Sequence, residues 1–343
     1  HLDLSMTGFQ ISNFFGGFKT SLYKWSNGIY VLDIDSEIDE DLNFDGIGDN
    51  WVNGGVNGHH WGDYDNDGDL DYVQGGFDNS YTRRLDVFYN DNGILRIDKD
   101  QINLIPINPA IVHWVDLDRN GRLDLVTIGA DETENIRMRV YKNNSNHILV
   151  PSMTWESEIF GVLSGAIAFG DYNNDGYDDF ALTGMNSDNE LVTYIVTNSI
   201  NTFIATHILP GIYYGKPAWG DYDSDGDLDL FLSGFKANQD VVAQVYDNLE
   251  GLENPNKIPN APYLLDDSNI SNDRVTLSWT APIDPANANG GYTPELGLRY
   301  QLQVGYEDAS NDHAISTGHY GLSEIGRLSP SIDGPQKVLK DLK

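Results

Sequence analysis

The stretch Trp219-Gly-Asp-Tyr-Asp-Ser-Asp-Gly-Asp-Leu-Asp229 occurs in four related copies along the chain. The other copies are residues 61–71, 114–124 and 169–179, and successive copies begin 53, 55 and 50 residues apart. Each copy opens on an aromatic residue, carries aspartate or asparagine at alternate positions, and has a glycine in its middle. A repeat of about 50 residues with several short strands has the length of one β-propeller blade. The motif therefore predicts an all-β fold, a β-propeller built of four-stranded blades.

The segments that follow each motif support this prediction. An apolar run closing on glycine comes first, such as Leu230–Gly234, and a second strand-like run follows it, such as Val241–Tyr246. Residues 1–9 match residues 227–235 in spacing and character, so the repeat series starts midway through a blade. We therefore assign residues 1–252 to the propeller.

The acidic loops have the arrangement of calcium sites. In each loop of nine residues, oxygen-bearing side chains fall at positions 1, 3, 5 and 9, and glycine is at position 6. Alternate side chains of a curling loop point inward, glycine permits the sharp turn, and the carbonyl at position 7 adds an oxygen; Ca²⁺ takes six to eight such ligands. The predicted ligands, by side chain or carbonyl, are Asp63, Asp65, Asp67, Asp69 and Asp71; Asp116, Asp118, Asn120, Arg122 and Asp124; Asp171, Asn173, Asp175, Tyr177 and Asp179; and Asp221, Asp223, Asp225, Asp227 and Asp229.

A further loop of this kind lies before the first complete motif. It is predicted to bind through Asp41, Asn43, Asp45, Ile47 and Asp49, within an insertion at about residues 33–50. This brings the expected number of Ca²⁺ sites to about five. The loop 116–124 is expected to bind more weakly, because Asn120 and Arg122 dilute its negative charge.

The charge of the chain argues for a cation and against several partners. The chain has 20 Lys and Arg against 53 Asp and Glu, a formal net charge of −33, and 41 of the acidic residues are Asp. Such a field repels phosphate backbones and anionic lipids, and no apolar run is long enough to span a bilayer, so we expect neither nucleic-acid binding nor membrane insertion. The absence of cysteine excludes disulfides and Cys-ligated metals. Crowded aspartates repel one another unless a cation neutralises them, and Mg²⁺ and Zn²⁺ suit this ligand set less well.

The four motifs and their flanking strands resemble FG-GAP/VCBS repeats, the calcium-bearing propeller blades also found in integrin α-chains. The aromatic-Gly-Asp lead-in and the Asp-x-Asp-Gly core carry this resemblance over most of residues 1–252. It implies a propeller with cation loops between the strands of each blade, in a protein that serves adhesion, carbohydrate binding or assembly outside the cell.

The chain changes character after the propeller. Residues 253–262 form a proline-rich linker, and residues 263–343 contain strand patterns such as Arg274–Trp279 and Leu298–Val304. This segment resembles the first half of a fibronectin type III domain, an incomplete β-sandwich. We expect either that the natural chain continues or that a neighbouring chain completes the sheet.

No singular catalytic cluster stands out. His60 and His113 occupy the same repeat position, which favours a structural role, and no nucleophile elbow, phosphate loop or metalloprotease motif is present. The leading hypothesis is a non-enzymatic extracellular or cell-surface module, stabilised by Ca²⁺, for adhesion or assembly with a protein or glycan partner, self-association included. Two alternatives stay open: a carbohydrate-binding propeller using Trp25, Trp51, Trp155, Tyr213 and Tyr214, and the accessory region of a polysaccharide-degrading enzyme.

Overall fold

The computed structural model describes only part of the chain. The described residues are 4–12, 15–26, 29–32, 58–67, 69–77, 82–91, 94–157, 160–199, 202–223, 227–249, 260, 263–268, 275–280 and 336–339. Within them, no helix has the length and apolar character needed to cross a membrane. The predicted loop 41–49, Trp51 and Asp225 lie outside the described residues, as do the side chain of Trp25 and most of the linker 253–262.

The described residues form an all-β fold of antiparallel sheets in chain order. An N-terminal sheet contains β1 (Leu4–Ser12), β2 (Phe15–Ser26) and β3 (Ile29–Leu32). The first blade contains β4 (His59–Gly62), β5 (Asp71–Phe77), β6 (Arg83–Asn90) and β7 (Leu95–Ile97). The second contains β8 (Ile111–Val115), β9 (Asp124–Ala130), β10 (Ile136–Asn143) and β11 (Leu149–Pro151).

The third blade contains β12 (Leu163–Gly170), β13 (Asp179–Met185), β14 (Leu191–Asn198) and β15 (Phe203–Pro210). The described strands of the fourth are β16 (Tyr213–Gly220), β17 (Asp229–Phe235) and β18 (Val241–Tyr246). The four sheets stand in a β-propeller arrangement. Their first strands contact one another in chain order: β4 contacts β8, β8 contacts β12, and β12 contacts β16. The predicted all-β propeller is therefore confirmed for these four blades.

The C-terminal part has a smaller described sheet. It contains β19 (Tyr263–Ser268), β20 (Val275–Thr280) and β21 (Gln336–Leu339), paired in that order. Trp279 on β20 is buried. The other strands expected for a fibronectin type III-like domain fall on residues outside the described ranges, so that assignment stays a prediction.

The hydrophobic core lies between neighbouring blades. In the first blade, Val73 on β5 is paired with Val87 on β6, and both are buried against the second blade's Trp114 and its neighbours. Val126 and Val140 form the same cross-strand pair in the second blade and pack on the third. Because a strand alternates its side chains between two faces, the second and third blades each pack one face on the blade before and the other on the blade after.

Glycine and an aromatic ring set the distance between blades. A Cβ on Gly62 would lie 2.7 Å from Cδ1 of Trp114, and one on Gly170 would lie 2.9 Å from Cδ1 of Trp219. The indole rings also stack on tyrosines of the preceding loop, Tyr64 on Trp114 at 5.4 Å and Tyr172 on Trp219 at 5.7 Å between ring centroids. The lead-in residues Trp114 and Trp219 are therefore packing residues, each of which lies against the acidic loop of the preceding blade.

Candidate metal centres

Each acidic loop curls because its own side chains bind its backbone. The residue at position 4 has a left-handed backbone, with φ of 56° at Asn66, 57° at Arg119 and 56° at Asn174. The next amide then turns back toward the start of the loop, as in the 3.0 Å hydrogen bond that the N–H of Asp67 donates to Oδ1 of Asp63. These bonds bring alternate side chains to one side of the loop.

The aspartate at position 9 fixes the end of the loop. Its Oδ2 accepts the N–H of position 2, at 3.0 Å for Asp71 and 3.1 Å for Asp229. Its Oδ1 accepts the N–H of an asparagine 19 residues later, at 2.8 Å from Asn90 and 2.9 Å from Asn248. The carboxylate therefore ties the loop to the end of the third strand of the same blade.

Three loops bring aspartates from positions 1, 3 and 9 together. In each loop, one carboxylate oxygen of each of the three residues lies within 4.8 Å of the others, close enough for all three to share one ion. The residues are Asp63, Asp65 and Asp71; Asp116, Asp118 and Asp124; and Asp221, Asp223 and Asp229. In the remaining loop, 171–179, position 3 is Asn173 instead of an aspartate.

In three of the loops, the side chain at position 5 is hydrogen-bonded to the backbone of position 7. An oxygen of position 5 accepts the N–H of position 7, at 3.0 Å from Asp69 to Asp67, 3.0 Å from Arg122 to Asn120 and 2.9 Å from Tyr177 to Asp175. Asp227, at position 7 of the last loop, is buried. The ligand roles predicted for position 5 and for the carbonyl of position 7 stay predictions.

Burial and mutual repulsion raise the pKa of several carboxyl groups at positions 1 and 9, which therefore ionise less readily without a counter-charge. Burial raises the pKa of Asp124 and of Asp179 to about 8, and the pKa of Asp116 and of Asp171 to about 6. Burial, and then the charges of Asp65 and Asp63, raise the pKa of Asp71 well above its usual range. A bound cation stabilises the ionised form and so removes this penalty.

The ligand set fits a hard divalent cation. Every donor in the three clusters is a carboxylate oxygen, a ligand type that Ca²⁺ prefers. Asp118 Oδ1 is buried and has no hydrogen-bond partner among the described residues, as expected for an oxygen reserved for an ion. Its other oxygen, Oδ2, accepts a 2.8 Å hydrogen bond from Nζ of Lys142, which places a positive charge beside the loop 116–124.

The asparagine that follows each loop was not predicted from the sequence. The side-chain amides of Asn143, Asn198 and Asn248 donate to the carbonyl at position 2 of the preceding blade's loop, at 2.7 Å to Tyr64, 2.9 Å to Leu117 and 2.8 Å to Tyr172. The signal was available, because an asparagine stands 19 residues after each position-9 aspartate. These asparagines join adjacent loops into one layer.

A buried ion pair at the second and third loops was also missed. Arg119 at position 4 of the second loop lies 3.2 Å from Asp178 of the third, and Nε of Arg119 donates to the carbonyl of Gly176 at 2.9 Å. Asp178 stands at position 8, where the other three loops have leucine. Asn66 makes the corresponding bond between the first and second loops, donating to the carbonyl of Gly121 at 2.9 Å.

His60, His113 and Trp155 lie in contacts between blades. The rings of His60 and His113 stack across β4 and β8 with centroids 3.9 Å apart. The expectation that Trp155 offers an open surface for sugars is wrong, because Trp155 is buried in the core and stacks on Phe203. Tyr214 is exposed, and Tyr213 beside it is half-buried.

Comparison with known proteins agrees with the repeat read from the sequence. Residues 116–182 and 171–232 match the FG-GAP-like repeat, and these ranges run from the second acidic loop to β17. No curated protein matches the chain. The second, third and fourth blades of this propeller therefore carry FG-GAP-like repeats.

Proposed function

We propose that the acidic loops bind Ca²⁺ and that the ions stabilise the propeller. The observation that carries the proposal is the convergence of three carboxylates within 4.8 Å in each of three loops. Burial raises the pKa of Asp71, Asp116 and Asp124 among them. Loop 171–179, which has Asn173 at the third position between Asp171 and Asp179, is a fourth site, and loop 41–49 is a fifth by its sequence. Since folded loops bind the ion far better than the unfolded chain does, calcium shifts the folding equilibrium toward the native state.

The biological role we propose is a non-enzymatic module outside the cell or on its surface, for adhesion or for assembly into larger extracellular structures. FG-GAP-like repeats are consistent with an extracellular type of propeller. The metal loops recur from blade to blade instead of converging on one reaction centre. Ca²⁺ in the extracellular medium would keep such loops filled and would offset part of the −33 charge of the chain.

Calorimetric titration with Ca²⁺ tests the metal proposal. The chain is expected to bind several ions and to unfold at a higher temperature in Ca²⁺ than in EDTA. Asp65→Ala and Asp118→Ala should each lower the stoichiometry by about one ion, because each removes a convergent oxygen ligand that asparagine, as in loop 171–179, could still supply. Asp131→Ala is the matched control, since Asp131 lies outside the acidic loops, caps the β9–β10 turn and pairs with Arg139 at 2.6 Å. Unchanged stoichiometry in both loop variants would contradict the proposal.

Lys142 gives an independent test of loop 116–124, the loop expected to bind Ca²⁺ more weakly. Its ammonium group competes with a cation for Asp118, so Lys142→Gln should raise the Ca²⁺ affinity of loop 116–124 and leave the other loops unchanged. Lys216→Gln, in the fourth blade, is the control. A Lys142→Gln protein that binds Ca²⁺ as the parent does would show that Asp118 takes no part in the site.

Glycan binding is a second candidate, favoured by one exposed aromatic group. Tyr213 lies 5.2 Å from Tyr214 and 5.9 Å from Phe235 between ring centroids, and Tyr214 and Phe235 are both exposed. Aromatic faces of this kind stack on sugar rings. A glycan array with the parent and with Tyr214→Ala distinguishes the two: signals lost in the variant support glycan binding, and an array without signals removes this candidate.

A further inference from the structure

The second acidic loop has an Asn-Gly pair where the other loops have Asp-Gly. Position 5 is aspartate in the other three motifs, but it is Asn120 in loop 116–124, and Gly121 follows it. Asparagine is a thermolabile residue, and its amide is lost most readily before glycine, because glycine has no Cβ to hinder attack of its own nitrogen on the asparagine side chain. Deamidation of Asn120 would therefore create the residue that the repeat has at this position.

The structure leaves the reacting groups open to solvent. Asn120 and Gly121 are both exposed, and a Cβ on Gly121 would meet no heavy atom of the described residues within 4 Å. Nδ2 of Asn120, the group that departs as ammonia, makes no hydrogen bond within the part of the chain that the structure describes. Neither packing nor a hydrogen bond to Nδ2 therefore opposes the reaction.

Hydrogen bonds hold the Asn120 side chain beside the peptide group that attacks it. Oδ1 of Asn120 accepts the N–H of Arg122 at 3.0 Å, which folds the side chain back over the Gly121 peptide and draws electron density from Cγ. The N–H of Gly121 donates to Oδ2 of Asp116 at 2.7 Å, so the proton that this nitrogen loses already lies on an acceptor. The electrophilic carbon and the attacking nitrogen belong to one ordered turn.

We propose that Asn120 is a site of spontaneous deamidation, which gives loop 116–124 aspartate at positions 1, 3, 5 and 9 as the protein ages. The nitrogen of Gly121 forms a bond to Cγ of Asn120, the Cγ–Nδ2 bond breaks, and Nδ2 leaves as ammonia with the proton that Gly121 gives up. Water then opens the cyclic imide. Addition of water at Cγ restores the main chain and leaves aspartate, whereas addition at the main-chain carbonyl gives iso-aspartate, which lengthens the main chain by one carbon.

The neighbouring loop shows that aspartate fits this position without rearrangement. In loop 171–179, Oδ1 of Asp175 accepts the N–H of Tyr177 at 2.9 Å, and the N–H of Gly176 donates to Oδ2 of Asp171 at 2.9 Å. These are the same two bonds that surround Asn120. An iso-aspartate would displace both by the added carbon, so the folded loop should yield a larger share of aspartate than the unfolded chain does.

Peptide mass spectrometry of the full chain, aged in EDTA at neutral pH, tests the reaction. Peptides that contain Asn120 should gain the mass difference between asparagine and aspartic acid many times faster than peptides that contain Asn146, an exposed asparagine followed by His147. Measurement of each peptide separates Asn120 from the five other Asn-Gly pairs of the chain. Equal rates at Asn120 and Asn146, or an Asn120 that stays intact, would overturn the proposal.

Comparison with the chain unfolded in urea tests the contribution of the turn. Asn120 should deamidate in the folded chain at least as fast as in urea, and labelling with an iso-aspartate methyltransferase should show a smaller share of iso-aspartate. Deamidation many times slower in the folded chain would mean that the turn protects Asn120, which overturns the proposal. An equal share of iso-aspartate in the two states would overturn the conversion to an aspartate loop.

The consequence for calcium rests on the proposed function, whereas the reaction itself does not. Asn120→Asp reproduces the product and should bind Ca²⁺ at loop 116–124 on the order of tenfold more tightly than the fresh parent, because ligand charge sets Ca²⁺ affinity. Asn146→Asp adds the same charge outside the loop and is the matched control. If Asn120 deamidates but Asn120→Asp binds Ca²⁺ no better than Asn146→Asp, the modification stands and the predicted ligand at position 5 is wrong. If the affinity rises but Asn120 stays intact on ageing, the ligand stands and the modification is wrong.

Discussion

Asn143 binds Asp124 and the neighbouring blade at the same time. Its backbone N–H donates to Oδ1 of Asp124 at 2.9 Å, and its side-chain amide donates to the carbonyl of Tyr64 in the preceding blade at 2.7 Å. The same amide donates to the carbonyl of Leu123 at 3.0 Å. A residue that supports a candidate metal ligand is therefore also a bond between blades, so loop geometry and blade packing are linked.

Asn143→Ala should destabilise the propeller measurably. The substitution leaves two buried carbonyl groups without this donor, and an unsatisfied buried polar group costs about 1–3 kcal/mol. We expect a loss of about 2 kcal/mol in the free energy of unfolding, measured by denaturant titration. Asn146→Ala, at an exposed position in the adjacent hairpin, is the control and should change stability little. Equal stability of the two variants would show that the side chain does not join the blades.

The Arg119–Asp178 pair should behave as a unit. Arg119→Asn alone leaves Asp178 buried without its cation, and Asp178→Leu alone leaves a buried guanidinium, so each should cost about 3–5 kcal/mol. The double variant places asparagine at position 4, as in the first loop, and leucine at position 8, as in three loops. It should recover most of the lost stability in a double-mutant cycle.

The exposed pair Arg96–Asp91 provides the comparison for this cycle. Its side chains are separated by 3.2 Å and are partly exposed to solvent. Arg96→Gln should therefore cost about 0.5 kcal/mol or less. If the two single variants at the buried pair were as mild as Arg96→Gln, or if their costs simply added, the pair would not be a coupled structural element.

The repeat made much of the fold accessible from sequence. The repeat is marked by residues that recur in every blade, such as the aromatic lead-in of each motif and the glycine at position 6. Their spacing gives the repeat length, and the repeat length predicts the blades. The contacts between blades were harder to read, because Asn143 meets Tyr64 across 79 residues of chain and the match between them depends on the packed arrangement. Trp155 is a second example. The sequence does not show whether this aromatic side chain is exposed, because its burial results from the packing of the second and third blades.

The stacked histidines should make the first two blades sensitive to acid. Nδ1 of His60 accepts the N–H of Trp114 at 3.3 Å, and Nδ1 of His113 contacts the carbonyl of the same residue at 2.8 Å. Burial lowers the pKa of His113 to about 4, although the charge of Asp178 partly opposes this. Burial, and then the charges of His113 and His59, lower the pKa of His60 well below 6.5.

These lowered pKa values set the sign of the effect. Below pH 6.5 these histidines are protonated in the unfolded chain but stay neutral in the folded chain. They should therefore reduce the free energy of unfolding as the pH falls from 6.5 to about 4. His60→Ala and His113→Ala should make this part of the stability curve flatter, and alanine is tolerated because the third and fourth blades have Ala168 and Ala218 there. The exposed His207→Ala is the control, and a curve as steep in the two variants as in the control would refute the assignment.

Calcium should reverse the pH dependence that the buried aspartates impose. In EDTA, the folded pKa of about 8 for Asp124 and Asp179 lies above the unfolded value of 3.8, so the folded state binds more protons and should become less stable as the pH rises from 6.5 to 8. The proton difference at these aspartates extends from about pH 3.8 to 8 and so overlaps the histidine range, but the interval from 6.5 to 8 lies above that range and reports the aspartates. Calcium needs the ionised carboxylates, so the rise in melting temperature that it produces should be largest at pH 8 and should shrink toward pH 6.5.

Asp124→Asn keeps an Oδ1 for the N–H of Asn143 but removes the charge. That variant should therefore melt higher than the parent in EDTA at pH 8 and gain less from Ca²⁺, whereas a calcium effect independent of pH would mean that the buried carboxylates do not hold the ion.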